Sequence, residues 1–309
     1  MALIFSVPGK TFLAGEYLAL EGGLTLLAMS EPRFEMRVEL GAGRRAGLSE
    51  GSPAMNYIRR HEEFFRGLDL TFRDPHEGAG GLGASTAQYL TVFAMHSWKS
   101  AANDEADREL DTKALLENYR QDSWNGEGKA PSGADLIGQL KGGFTFFERQ
   151  TGLISRGAWP FAEIVPVLIR TGVKVPTHEH LRRLNELDVT DLAPVMTAIR
   201  QAWNDRDDRG FADHLNRYGK ALAKKGLTAE STLDLLHDLA WMESVAAAKG
   251  CGALGADFVL ALVRRDLKRS FDLWAEEKEL TTVQLLDHVS PGLALKVEKA
   301  VPLMKENSL

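Results

Sequence analysis

The stretch "GAGGLGASTAQYL", residues 78–90, puts four glycines into six positions directly ahead of an apolar run. Glycine admits positive φ and lets backbone N–H groups converge on an anion, and a helix starting at once adds its positive dipole end. The chemistry such a stretch can do is to hold phosphate. It contains G-x-G-x-x-G at Gly78, Gly80 and Gly83. A dinucleotide fingerprint, however, should follow the first strand of a βαβ unit, whereas this one follows Asp74-Pro75-His76 well inside the chain. No Lys-Ser/Thr pair closes the run, so the P-loop pattern fails, and a plain glycine turn before a core helix stays open beside the cradle. A second glycine loop, "KGCGALGAD", spans residues 249–257.

Something must position these loops. The 309 residues, 44% hydrophobic and 26% charged, are enough for two lobes, and a net charge of −6 argues against a nucleic-acid footprint. No apolar run is long enough to span a membrane, and "MALIFSVPGK" lacks the pattern of a signal peptide, so a soluble, cytoplasmic chain is expected. The single cysteine, Cys251, leaves no internal disulfide and reads as a small packing residue. Periodicity predicts strands over 2–7, closed by Pro8-Gly9, and over 33–40, then a largely buried helix over 85–98 and another over 114–123. Strands follow over 142–147 and around Pro166, then helices over 178–205, 210–223 and 231–248, and the strand "FVLALV". Trp98, Trp203 and Trp241 fit helical apolar faces as core or near-core residues. His178 and His180 stand two apart, which on a helix does not put them on one face, so they are not read as a metal pair.

Four segments together resemble one superfamily, the GHMP kinases. "SVPGKTFLAGEYLALEGG" looks like its first motif and "GGLGASTA" like its ATP-phosphate loop. "GKAPSGADLIGQLKGG" looks like the segment that brings the catalytic aspartate, and "KGCGALGAD" like the glycine loop of the second lobe. All four occur in the family's order. The resemblance implies an α+β, two-lobed fold with a mixed-sheet nucleotide-binding lobe (residues 1–160) and a ferredoxin-like α+β lobe (residues 161–309). It also implies an ATP-dependent kinase using Mg²⁺, as a monomer or homodimer.

Phosphoryl transfer needs the nucleotide held, charge neutralised and an acceptor hydroxyl aligned and deprotonated. By resemblance, Gly81, Leu82, Gly83, Ala84, Ser85 and Thr86 hold the triphosphate, with Ala84 replacing a serine of the family loop. Ser85 would help bind Mg²⁺ together with a carboxylate, for which both Asp122 and Glu127 are available. Asp135 would be the catalytic base and Lys10 its companion. Glu16, Ser132, Gly133, Lys249, Gly252 and Ala253 would lie against the acceptor.

The acceptor is divided between two relatives. Gly15-Glu16-Tyr17 and "GKAPSGAD" resemble the phosphomevalonate kinases, whereas "IRTGVKVPTHEHL" resembles a stretch of bacterial mevalonate kinases and 309 residues is short for a phosphomevalonate kinase. A small-molecule kinase of the mevalonate pathway is expected, with phosphomevalonate ahead of mevalonate. A kinase-like ligand-binding protein impaired by Ala84 and a nicotinamide-dependent oxidoreductase are the alternatives.

Overall fold

The computed structural model describes residues 2–77, 81–100, 109–172 and 188–298. Two sheets organise them. The first is built on two long antiparallel strands, β1 (Ala2–Ala14) and β2 (Thr25–Leu40), paired from Leu3↔Val38 to Ala14↔Leu26. The first half of β2 pairs with β5 (Phe144–Glu148), which carries β6 (Leu153–Gly157). Its second half pairs with β4 (Leu68–Arg73), against which the short β3 (Arg45–Ala46) runs parallel. The C-terminal strand β11 (Ala294–Glu298) returns to the other edge of β1. The sheet is therefore mixed, as expected. The second sheet is antiparallel throughout, in the order β10 (Thr282–Gln284), β7 (Ile164–Arg170), β9 (Phe258–Arg264), β8 (Val245–Cys251).

Helices α1 (Pro53–Arg60), α2 (Glu62–Phe65), α3 (Ala84–Ser100), α4 (Thr112–Ser123) and α5 (Ala134–Lys141) accompany the first sheet. Those of the later chain are α6 (Leu192–Asp205), α7 (Asp208–Lys224), α8 (Glu230–Ala240) and α9 (Lys268–Glu277). Several start on caps that the sequence supplies. The Asp111 side chain accepts from the N–H groups of Lys113 and Ala114 ahead of α4, and Asp207 accepts from Gly210 ahead of α7. Helix α3 is apolar nearly all round, with Ala87, Tyr89, Leu90, Val92, Phe93, Ala94 and Met95 buried, so its N-terminus is fixed by the core.

Three expectations are corrected. The first strand does not close at Pro8-Gly9; it runs on to Ala14 through a register shift between Val7 and Gly9, where the missing N–H of proline interrupts no ladder. The helix expected over 231–248 ends at Ala240, and Val245–Cys251 is a strand. The alanines there favour helix intrinsically, but pairing against β9 in a buried sheet outweighs that weak preference. Trp203 is buried and Trp98 stacks on Phe5, whereas Trp241, just past the end of α8, is 81% exposed. The residues His178 and His180 lie outside the described residues. No helix among the described residues is long and apolar enough to cross a membrane.

Candidate active site

Lys10, on β1, and Asp135, in the first turn of α5, meet with Nζ 3.1 Å from Oδ2. The lysine stem is mostly covered and its ammonium lies 5.0 Å from the Phe12 ring centre, while 27% of the Asp135 side chain stays exposed. The other oxygen, Oδ1, is covered and accepts no hydrogen bond among the described residues. A carboxylate held by an ammonium on one side and partly exposed can accept a proton from a ligand placed against it. The turn that presents it is built by Gly133, at φ 76°, and by Ser132, whose Oγ accepts from the Ala134 N–H.

The glycine loop is tied to this pair. The Lys10 N–H donates to the Leu82 carbonyl at 3.0 Å, so the loop lies against β1 beside the lysine. Gly83 has φ 86°, and a Cβ there would stand 2.8 Å from Lys10 Cγ and 2.9 Å from Gln139 Nε2. Only glycine fits. The fully buried Gln139 donates through Nε2 to the carbonyls of Pro8 and Gly83 and accepts from Thr86 Oγ1 at 2.7 Å. One amide side chain of α5 thus fastens β1, the loop and the first turn of α3. Thr86 is spent on this contact and on the Gly83 carbonyl, whereas Ser85 stands exposed at the helix start. Gly78 and Gly80 lie outside the described residues. The strand ahead of the loop, β4, pairs antiparallel with β2, which is not the parallel βαβ setting of a dinucleotide fold.

The second glycine loop arrives from β8. Asp257 joins it to the first: a Cβ on Gly81 would stand 2.6 Å, and one on Gly252 2.0 Å, from Asp257 Oδ2. Both glycines have positive φ, so one carboxylate oxygen fixes how closely the two loops approach. Ala253 opens the short helical turn Ala253–Gly255 of this loop. Behind it, Lys249 is fully buried and paired with Glu16, itself 8% exposed, and Lys249 Nζ lies 3.6 Å from the buried Cys251 Sγ. Burial pushes Glu16 upward despite the opposing pull of Lys249. For Lys249, burial acts downward, but Cys251 and Glu16 outweigh it and hold the ammonium above its ordinary value. Neither side chain is open to solvent. The Glu16 carbonyl accepts from Tyr218 Oη at 2.7 Å, and the neighbouring Tyr17 Oη accepts from the Leu254 N–H at 2.9 Å.

The two carboxylates considered for a cation differ. Both oxygens of Asp122 are engaged by Arg60, through Nε at 3.1 Å and Nη2 at 2.7 Å, and Tyr89 Oη donates to the second at 2.9 Å. That set leaves a cation little room. Glu127 lies exposed in the loop after α4, with one long contact from Asn125 Nδ2 at 3.4 Å. Among the described residues no group of three or more His, Cys, Asp or Glu could hold a metal by itself. A hard cation here would take most of its oxygens from a phosphate ligand.

Sequence reasoning missed Gln139, Asp257 and Arg60. Asp257 had a visible signal, an acid immediately after a glycine loop; Gln139 had none, because its three partners come from distant parts of the chain.

No protein-family model matches the chain, and no curated protein matches it. Solved structures do, over nearly the whole length. Lactococcus lactis galactokinase complexed with galactose is 14% identical with a TM-score of 0.72, covering 95% of each chain. Streptococcus pneumoniae phosphomevalonate kinase in complex with phosphomevalonate and AMPPNP is 14% identical with a TM-score of 0.70, covering 91% of this chain and 99% of that one. Methanococcus jannaschii mevalonate kinase is 12% identical with a TM-score of 0.66, covering 91% and 96%. The chain has the fold these GHMP kinases share.

Proposed function

We propose that the protein is an ATP- and Mg²⁺-dependent kinase that phosphorylates the hydroxyl of a small molecule, with phosphomevalonate the first candidate and mevalonate the second. The observation that carries this reading is the Lys10–Asp135 pair, half-open and fastened to a glycine loop that heads a buried helix.

In this reading the N–H groups of residues 81–86 receive the triphosphate, and the α3 dipole adds to the attraction. Gln139 and Asp257 hold the loop in shape before ATP arrives, so its ordering costs less on binding. The Asp135 carboxylate, partly exposed beside Lys10, takes the proton of the acceptor hydroxyl as its oxygen bonds to the γ-phosphorus and the bond from that phosphorus to the ADP oxygen breaks. Lys10 faces the charge that builds on the transferring group and acceptor oxygen. Bound Mg²⁺ would neutralise phosphate charge, with Ser85 and Glu127 the protein groups available to it. Ala84 removes one hydroxyl, but backbone N–H groups carry the cradle. Kinases of this fold that act on neutral and charged acceptors are both represented among the similar structures, so the acceptor is settled by assay.

ADP release measured with phosphomevalonate, mevalonate, galactose and homoserine tests the reading. Turnover on phosphomevalonate supports it, turnover on another of the four reassigns the acceptor, and AMPPNP binding without turnover on any removes the pathway assignment.

A further inference from the structure

Helix α5 carries both Asp135 and, one turn later, Gln139, yet it is only eight residues long. Gly133 gives its start no side-chain cap, so the far end must help to hold it. That end meets residues 289–293, the stretch by which the chain returns from β10 in the second sheet to β11 in the first. The Leu293 N–H donates to the Gln139 carbonyl at 2.9 Å, filling an acceptor that the helix leaves open. The Gly143 N–H donates to the Ser290 carbonyl at 2.9 Å, and Gly142 pairs with Pro291. A Cβ on Gly292 would stand 2.0 Å from the Leu140 carbonyl oxygen. The returning stretch is packed backbone to backbone on α5, so a shift of one moves the other.

One side chain fastens this stretch. Arg33, on β2, is mostly covered and spends all five of its N–H donors. Nε donates to Ser6 Oγ and Nη2 to the Ser6 carbonyl, both at 2.7 Å, which anchors the fork on β1. The remaining donors reach across, Nη2 to the Gly292 carbonyl at 2.7 Å, and Nη1 to the Pro291 carbonyl at 2.6 Å and to Ser290 Oγ. Ser290 Oγ donates in turn to Glu31 at 2.6 Å. Three consecutive residues are thus held by one planar group, which a lysine, with its single nitrogen, cannot reproduce.

We propose that Arg33 is a positioning residue of the active site: it holds residues 290–292 against the end of α5 and so fixes the helix that presents Asp135 and the Gln139 anchor of the glycine loop. The part Asp135 plays in transfer rests on the kinase reading; the hold on α5 does not.

Arg33→Ala removes the fork, and added guanidinium can replace it. Amide hydrogen exchange on the full chain needs no acceptor: protection at residues 138–143 and at Leu293 should fall about tenfold or more, while the β7–β9 ladder keeps its own. With the acceptor found by ADP release, kcat at saturating substrates should fall about 10- to 100-fold, measured well below the melting temperature of the variant, because a misplacement of about 1 Å costs that much. Millimolar guanidinium should recover both readouts and methylammonium neither. Arg33→Lys, which keeps the charge and loses the fork, should also stay low, and it reads the effect if the alanine variant folds poorly. Arg37→Gln is the control: it releases Glu298 of β11 but leaves residues 290–292 held, so kcat should stay at the wild-type value. A lower melting temperature with wild-type kcat and wild-type protection of α5 would make Arg33 a brace of the fold only and overturn the proposal. An equal loss of kcat in Arg37→Gln would overturn it too. If the wild type turns over no acceptor while α5 protection still falls and returns with guanidinium, the kinase reading fails and the hold on α5 stands.

Discussion

Lys10 with Asp135, and Lys249 with Glu16, are two lysine–carboxylate pairs built around the first strand and the turn that follows it, yet their surroundings differ. Asp135 is 27% exposed, while Lys249 is wholly covered and Glu16 nearly so. A pair left half-open can exchange a proton with a ligand. A sealed pair can only fix how the elements carrying it meet, here the turn after β1 and the end of β8. In the proposed kinase the same two residue types would serve reaction in one place and positioning in the other, with burial the difference between them.

The largest effect should come from the open pair. Asp135→Asn keeps shape and removes the proton acceptor, so kcat should fall by about 10² to 10⁴ with AMPPNP affinity and melting temperature near wild type. Near-normal turnover would take Asp135 out of that role and erase the distinction between the pairs.

Lys249→Met tests the sealed pair in the other currency, stability. It leaves Glu16 buried without its counter-charge, and breaking such a pair costs about 3–5 kcal/mol in denaturant unfolding. Replacing both residues, as Lys249→Met/Glu16→Gln, should restore much of that loss, because no unpaired charge remains. A single variant as stable as wild type would show that the pair is more open than its burial implies.

Lys10→Met should lower kcat by about 10² to 10³ if its ammonium meets charge that develops during transfer. A change confined to acceptor KM would make it a substrate clamp instead, still distinct from Lys249, whose substitution should act through folding.

The open pair was far more legible in the sequence than the sealed one. Lys10 and Asp135 stand inside segments whose glycines and order mark them, and α3 was readable because a long apolar run after a glycine loop has few other fates. Glu16 and Lys249 were also singled out, but as acceptor contacts; nothing in their local sequence says that Tyr218, from α7, and the β8–β9 sheet close over them. Gln139 and the Arg60–Asp122–Tyr89 set were invisible for the same reason, since their partners lie far along the chain. The missed strand at Val245–Cys251 is a related failure: alanines carry no period, and only the neighbouring strand decides their state.

The smallest effect is the most diagnostic of burial. Lys249 is what pulls the Glu16 carboxyl down against the upward push of desolvation. In Lys249→Met that pull is gone, so Glu16 should keep its proton to a higher pH in the folded chain than in wild type, while the unfolded values are the same. A carboxyl raised in the folded state contributes stability at low pH that is lost as pH rises through its folded value, because the folded chain then holds the extra proton. The stability deficit of Lys249→Met relative to wild type should therefore be small on the acid side of the ordinary carboxylate range and grow toward neutrality. Paired thermal melts across that interval read it directly. A deficit that stays flat with pH would mean that Glu16 reaches solvent once Lys249 is removed, and that the seal depends on the lysine rather than on the strands above it.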